Sequence, residues 1–237
     1  MSDYQSRLSL MEGWYEELVA SDEREQLLLQ DYEPHRQFLG SLSGSVVDIG
    51  GGAGLAARFL RSDVDYVVVD PSELWRSREW IEFGAAFRKS GPEPRFIAAD
   101  GEALPFPDEQ FDAALSFWSL NHVRDPGRCL VEMARVLKPG GYARLVLEDI
   151  EPSWPDLLND GAARVWARVA RIKRQTLIRR PLIEAFSSKM RGDWPLHEDH
   201  IRIPEPALRE WMGDCLTVKR REWIDGSLTF DLVKSGD

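Results

Sequence analysis

Beginning at Ser45, five short apolar runs alternate with stretches of helical periodicity, and no other feature restricts the fold as strongly. Ser45-Val-Val-Asp-Ile49 reads as a buried strand that ends in the glycine-rich turn Gly50-Gly-Gly-Ala-Gly54. The spacing predicts a helix over Ala53–Arg61, a second strand over Tyr66–Asp70 and a helix from about Ser72 to Lys89. Further strands are expected at Arg95–Ala99, Phe111–Phe117 and Tyr142–Leu147, with a helix at Pro126–Leu137. Strands alternating with helices need crossover connections, which give a mostly parallel sheet covered on both faces. The expected fold is therefore a doubly wound α/β core.

Two segments fall outside this rhythm. Residues 1–40 read as amphipathic helix, and residues 151–200 break the alternation at Pro152 and Pro155 before a helix expected over about Asn159–Ile178. Both are read as caps over the sheet, flanking a core at 41–150 within one domain spanning 1–237. Residues 201–237 are expected to add a helix at Pro206–Met212 and two strands, Leu216–Glu222 and Ser227–Val233.

Composition excludes several classes. A hydrophobic fraction of 43% with 30% charged residues is that of a globular chain with a core. No apolar run approaches the roughly 20 residues that cross a bilayer, and Met1 to Leu10 lacks the pattern of a secretion signal. Two cysteines allow neither a disulfide framework nor a four-cysteine zinc site, so a cytoplasmic location is expected. A formal net charge of −10 disfavours nucleic acid as a partner.

The chemistry is concentrated at strand ends. In open α/β sheets, ligands bind beyond the carboxyl ends of the strands, and glycines there let the backbone approach them. The third glycine of a dinucleotide fingerprint begun at Gly50 is replaced by Leu55, and the Gly-Lys-Ser/Thr of a phosphate loop is absent. Asp70, closing the second strand, can accept from the hydroxyls of a ribose, or can act as a helix cap. Asp100, closing the third, can accept from an adenine amino group.

Four blocks in order, Val46–Gly54, Val67–Ser72, Ala99–Leu120 and Leu137–Leu147, resemble the class I methyltransferases that use S-adenosylmethionine (SAM). The likeness is to the type 11 branch, which includes quinone-biosynthesis and other small-molecule enzymes. Asp100-Gly-Glu-Ala-Leu-Pro-Phe-Pro-Asp-Glu-Gln-Phe-Asp112 and Leu137-Lys-Pro-Gly-Gly141 are the most specific parts. The resemblance implies a seven-stranded Rossmann-like sheet with a helical cap. It also implies SAM as cofactor, with S-adenosylhomocysteine as product, and a small metabolite as substrate. Gly50 and Gly52 would line the methionine portion, with Asp48 fixing the turn and helping hold the amino group. Asp70 would hold the ribose with Pro71 beside the adenosine, and Asp100, Gly101 and Glu102 would meet the adenine. Phe117 would lie under the sulfonium and Trp118 near the transfer axis. Gly51 stands where the family often has a small polar residue or cysteine.

Methyl transfer from a sulfonium needs alignment above all, and a base only when the acceptor arrives protonated. His122, His197 and His200 are the base candidates, and Glu148 can face the substrate. The tetrad His197-Glu-Asp-His200 has metal-binding residue types, but a solvated loop explains it equally, and the resemblance implies no metal. Arg164 and Arg168 share a face with Arg171 on the expected cap helix, beside Lys173, Arg174, Arg179 and Arg180. That face is either a solvated surface or a receiver for an anionic substrate; an aromatic substrate would suit the nine tryptophans. O-methylation of a small metabolite is the leading expectation, with N- or C-methylation open. An RNA methyltransferase and a SAM-binding protein that methylates nothing are the alternatives.

Overall fold

A computed structural model describes residues 2–169 and 181–236. Its seven strands are β1 (Ser45–Ile49), β2 (Asp65–Val69), β3 (Arg95–Ile97), β4 (Phe111–Phe117), β5 (Leu137–Leu147), β6 (Leu216–Ile224) and β7 (Ser227–Lys234). They form one sheet in the order β3-β2-β1-β4-β5-β7-β6, parallel except for β7, which runs antiparallel to both of its neighbours. Val46, Val47, Val67 and Val68 are fully buried because this sheet is covered on both faces. One face packs on α5 (Pro126–Val136) and α8 (Glu205–Met212), and the other on α1 (Ser2–Ala20), α2 (Arg24–Tyr32), α3 (Arg36–Ser41) and α4 (Arg78–Arg88).

Helix ends follow local chemistry. Pro126 opens α5, and Asp125 accepts from the Arg128 N–H at 2.9 Å as its cap. α6 (Trp154–Val169) starts five residues before the periodicity places it. Ser153 Oγ accepts from the Asp156 N–H at 3.2 Å while Asp156 Oδ2 accepts from the Ser153 N–H at 3.0 Å, a reciprocal cap that makes Pro155 part of the first turn. The rest of the expected helix, to Ile178, lies outside the described residues. α7 (Leu182–Arg191), unanticipated, ends at Gly192 with φ +71°, and Leu157, Ala185 and Trp194 form a small separate core beneath α6 and α7.

Two expectations are corrected. The helix over Ala53–Arg61 is only a 3-10 turn, Leu55–Phe59, entered through left-handed Gly54 and crowded by Gly91, where an added Cβ would lie 1.9 Å from the Ala57 carbonyl oxygen. The fifth strand begins at Leu137 rather than Tyr142. Lys138-Pro-Gly-Gly141 forms a bulge inside it, so that Phe111 pairs with Leu137 but Ala113 pairs with Tyr142.

Candidate functional site

β1 leads to β2 on one side of the sheet while its other neighbour, β4, leads to β5, and the chain therefore parts at the carboxyl ends of β1 and β4. A crevice opens there. Gly50 adopts φ +71°, and a Cβ on it would lie 2.3 Å from Ser119 Cβ. Ser119 Oγ donates to the Ile49 carbonyl at 2.8 Å, so the two loops are drawn together across the crevice floor. Gly51 is equally constrained, since a Cβ there would sit 2.6 Å from Asp48 Cγ. The Asp48 carboxylate thus lies beneath the turn and accepts from Tyr66 Oη at 2.5 Å. Burial pushes it up to about 6, against the lowering effect of the tyrosine bond.

A cavity occupies the β1–β3 side of the crevice. Asp70, Pro71, Asp100, Gly101 and Glu102 line it, with Tyr4 and Tyr15 contributed by α1. Asp70 accepts from the backbone N–H of Gly52 at 3.1 Å and of Ser72 at 2.9 Å. Burial nevertheless raises its carboxyl to about 6. Each oxygen can still accept a further hydroxyl. Asp100 pairs with Arg124 at 3.1 Å, and the Arg124 guanidinium lies 4.1 Å from the Tyr4 ring centre, closing this end. Glu102 accepts from the backbone N–H of Arg124 at 2.8 Å and of Asp125 at 3.2 Å, so it orders the loop ahead of α5.

A wider cavity adjoins the first. Both are walled by Met11, Tyr15, Gly50, Trp75, Phe117, Trp118 and His122, which places one directly against the other. Trp118 takes φ +54°, an unusual conformation for a bulky residue. It is held there by its N–H to the Val146 carbonyl at 2.8 Å and by Nε1–H to Ser227 Oγ at 3.2 Å. One wall is aromatic, with Trp14 and Tyr32. The other is polar, with Glu148, His197, Asp199 and His200.

Asp149, at the β5 end, organises the polar wall. Its Oδ2 receives the His197 N–H at 2.7 Å, His197 Nδ1 at 2.8 Å and His200 Nδ1 at 2.9 Å. Burial opposes ionisation of Asp149, but these bonds outweigh it and hold the carboxyl down at about 2. Burial would also discharge His200, yet Asp149 with the charges of Asp199 and Glu148 raises it overall. His122, 3.6 Å from Asp199, is lowered to about 4 by burial and by His200, whose ring centre lies 4.5 Å away. Burial pushes the Glu148 carboxyl up.

Residues 47–145 match the family model for the methyltransferase domain. The fold is that of the class I SAM-dependent methyltransferases. An uncharacterized methyltransferase of Mycobacterium sp. (strain JLS) is 42% identical over 102 residues, covering 43% of the chain and 37% of the relative. The ubiquinone/menaquinone biosynthesis C-methyltransferase of Hahella chejuensis is 38% identical over 118 residues, covering 47% of the chain and 45% of that protein. The chain thus spans less than half the length of these curated relatives. The fold matches that of the 1,6-didemethyltoxoflavin-N1-methyltransferase of Burkholderia thailandensis, solved with 1,6-didemethyltoxoflavin and S-adenosylhomocysteine, with TM-score 0.60 and 17% identity over 98% of this chain and 90% of that one.

The crevice gathers most of the residues singled out from sequence. Gly50, Asp70, Pro71, Asp100, Gly101, Glu102 and Phe117 line the narrower cavity, and Gly52, Glu148, His197 and His200 the wider one. Asp48 does not line either, being covered by the turn. Arg164 is likewise absent from both linings; its Nε bonds the buried Asp160 at 2.7 Å one helical turn earlier. Arg168 lies on α6, and Arg171, Lys173, Arg174, Arg179 and Arg180 fall outside the described residues. His35 lines neither cavity; it is buried behind Phe117 and Trp118, with ring centres 4.9 and 5.9 Å away, and lies 3.4 Å from Arg144. Asp149, Trp75 and Tyr15 were not singled out. Asp149 carried one signal, an acid next to Glu148 at a strand end.

Proposed function

We propose that the chain binds SAM in the narrower cavity and transfers its methyl group to a small aromatic acceptor, through a hydroxyl oxygen, in the wider one. The observation that carries this reading is the shared wall, since methyl transfer requires donor and acceptor in line, in one water-poor space. A side chain at Gly50 would strike Ser119, and one at Gly101 would approach Cys129 Sγ to 2.9 Å, so the backbone at the cavity floor packs this closely only because both are glycine. When bound, SAM supplies a methyl carbon already activated by its positive sulfur.

Asp70 accepts from the ribose hydroxyls, Asp100 and Glu102 border the base, and Phe117 and Trp118 separate sulfonium from solvent. The wider cavity receives the acceptor between the Trp14 and Tyr32 wall and the histidine–carboxylate wall. His122, His197 and His200 meet its polar end, where one imidazole accepts its proton. No lysine or arginine lines this cavity among the described residues, whereas Asp31, Glu148, Glu198 and Asp199 do. The acceptor is therefore neutral or cationic rather than anionic. The quinone C-methyltransferase among the relatives and the toxoflavin enzyme among the structures also act on small ring systems, judged by their names.

Titration calorimetry with SAM and S-adenosylhomocysteine tests the reading. Micromolar binding that Asp70→Ala weakens at least about tenfold, the loss of one charged hydrogen-bonding group, is expected. A folded wild-type chain that binds neither compound would sink it.

A further inference from the structure

We infer that His197, His200 and Glu148 form a binding site for one divalent transition-metal ion on the polar wall. Donor atoms of these three side chains all lie within 4.8 Å of one another. Two imidazoles and a carboxylate are a mixed set that suits zinc, iron(II), cobalt(II) or nickel(II), whereas magnesium and calcium favour all-oxygen sites.

The decisive feature is behind the ligands. An ionised carboxylate only accepts hydrogen bonds, so Asp149 Oδ2, 2.8 Å from His197 Nδ1 and 2.9 Å from His200 Nδ1, fixes both rings with the proton on Nδ1. Both Nε2 atoms then carry a lone pair. A histidine whose far nitrogen donates to a carboxylate is the usual arrangement around a bound metal, because it sets the tautomer and strengthens the ligand. Here one carboxylate orients two histidines. Asp149 itself holds a left-handed backbone, φ +55°, and ties down the His197 N–H as well, so strand end and loop are locked together around this geometry.

A base alone does not account for the group. A single proton acceptor needs one imidazole and one orienting acid, yet two imidazoles share the acid and Glu148 completes a triad beside them. His122 and Asp199 flank His200 on its other side, and their donor atoms with those of His200 also fall within 4.8 Å. They are not the preferred set, because Asp199 stands 3.6 Å from His122 Nδ1 and 4.0 Å from His200 Nε2, beyond hydrogen-bond distance, and so orients neither ring as Asp149 does. A three-ligand ion keeps coordination positions open toward the cavity. An acceptor hydroxyl bound there would ionise at lower pH, and its oxygen would be fixed in place.

The test uses the whole chain without SAM, so its outcome is independent of the proposed methyl transfer. Cobalt(II) is titrated into chelator-treated protein while its visible absorption is followed, and zinc binding is measured by calorimetry. One equivalent per chain is expected, with Glu148→Gln, His197→Ala and His200→Ala each weakening affinity at least about a hundredfold and Asp149→Asn about 10–100-fold. Asp199→Asn should leave affinity within about threefold, since it belongs to the other set. Thermal melting in chelator confirms that each variant is folded. Absence of stoichiometric binding, or affinity that survives His200→Ala, would overturn the site. Loss through Asp199→Asn with retention in Glu148→Gln would overturn the ligand assignment.

Discussion

Asp48 shows how one residue can be conspicuous in sequence and do something different in space. It sits in the glycine motif, so a ligand-facing role is the natural reading, yet its carboxylate lies under the turn with Oδ1 buried and unpartnered. Its carboxyl is raised from 3.8 to about 6, so the native state binds more protons than the unfolded chain between those values. Stability contributed by this group is therefore highest below about pH 4 and declines as pH rises through 6. The difference of about two units corresponds to about 3 kcal/mol of destabilisation at neutral pH. Asp48→Asn can still accept from Tyr66 and carries no charge. In ligand-free protein it should melt higher than wild type at pH 8 and near wild type at pH 4, followed by circular dichroism. A variant no more stable at pH 8 would show that the buried carboxylate costs nothing.

At the scale of elements, the strands were legible because parallel strands buried on both faces are unbroken apolar runs, as in Val46-Val47 and Val67-Val68-Val69. Caps and bulges were less so. Pro155 looked like a breaker until Ser153 and Asp156 closed a cap around it, and Pro139 looked like a terminator although it lies in a bulge. The residues lining the narrower cavity were readable because one motif places each of them at a strand end. The polar wall was not: Asp149 and His200 are 51 positions apart in sequence, and only the return of the chain past the β5 end brings them within 2.9 Å. α1 is the element whose function sequence left least defined. Glu12 bonds Ser72 Oγ at 2.5 Å, Tyr15 packs edge-on to Trp75 with centres 4.7 Å apart, and α1 borders both cavities. It thus covers the crevice through few contacts, and few contacts allow local opening. Saturating S-adenosylhomocysteine should slow hydrogen exchange of the α1 amides roughly tenfold or more, read by mass spectrometry. Unchanged exchange in α1 with protection elsewhere would remove its role as a cover.

Across the whole molecule, a net charge of −10 and acids at both cavities make the crevice a place where cations gain. SAM carries a sulfonium, an ammonium and a carboxylate, a net charge of +1, whereas S-adenosylhomocysteine lacks the sulfonium and is neutral overall. On the proposed function, the field would discriminate between the two, favouring the charged donor and release of the spent one. Because Arg124 is already paired with Asp100, it does not cancel the surrounding acids. Screening should weaken the preference in a way that pairwise contacts common to both compounds cannot. Raising sodium chloride from about 20 to about 500 mM in chelator-treated protein is expected to weaken SAM about three- to tenfold and S-adenosylhomocysteine less than about twofold. Equal salt sensitivity of the two, measured by calorimetry, would mean that local contacts rather than the molecular field set the preference.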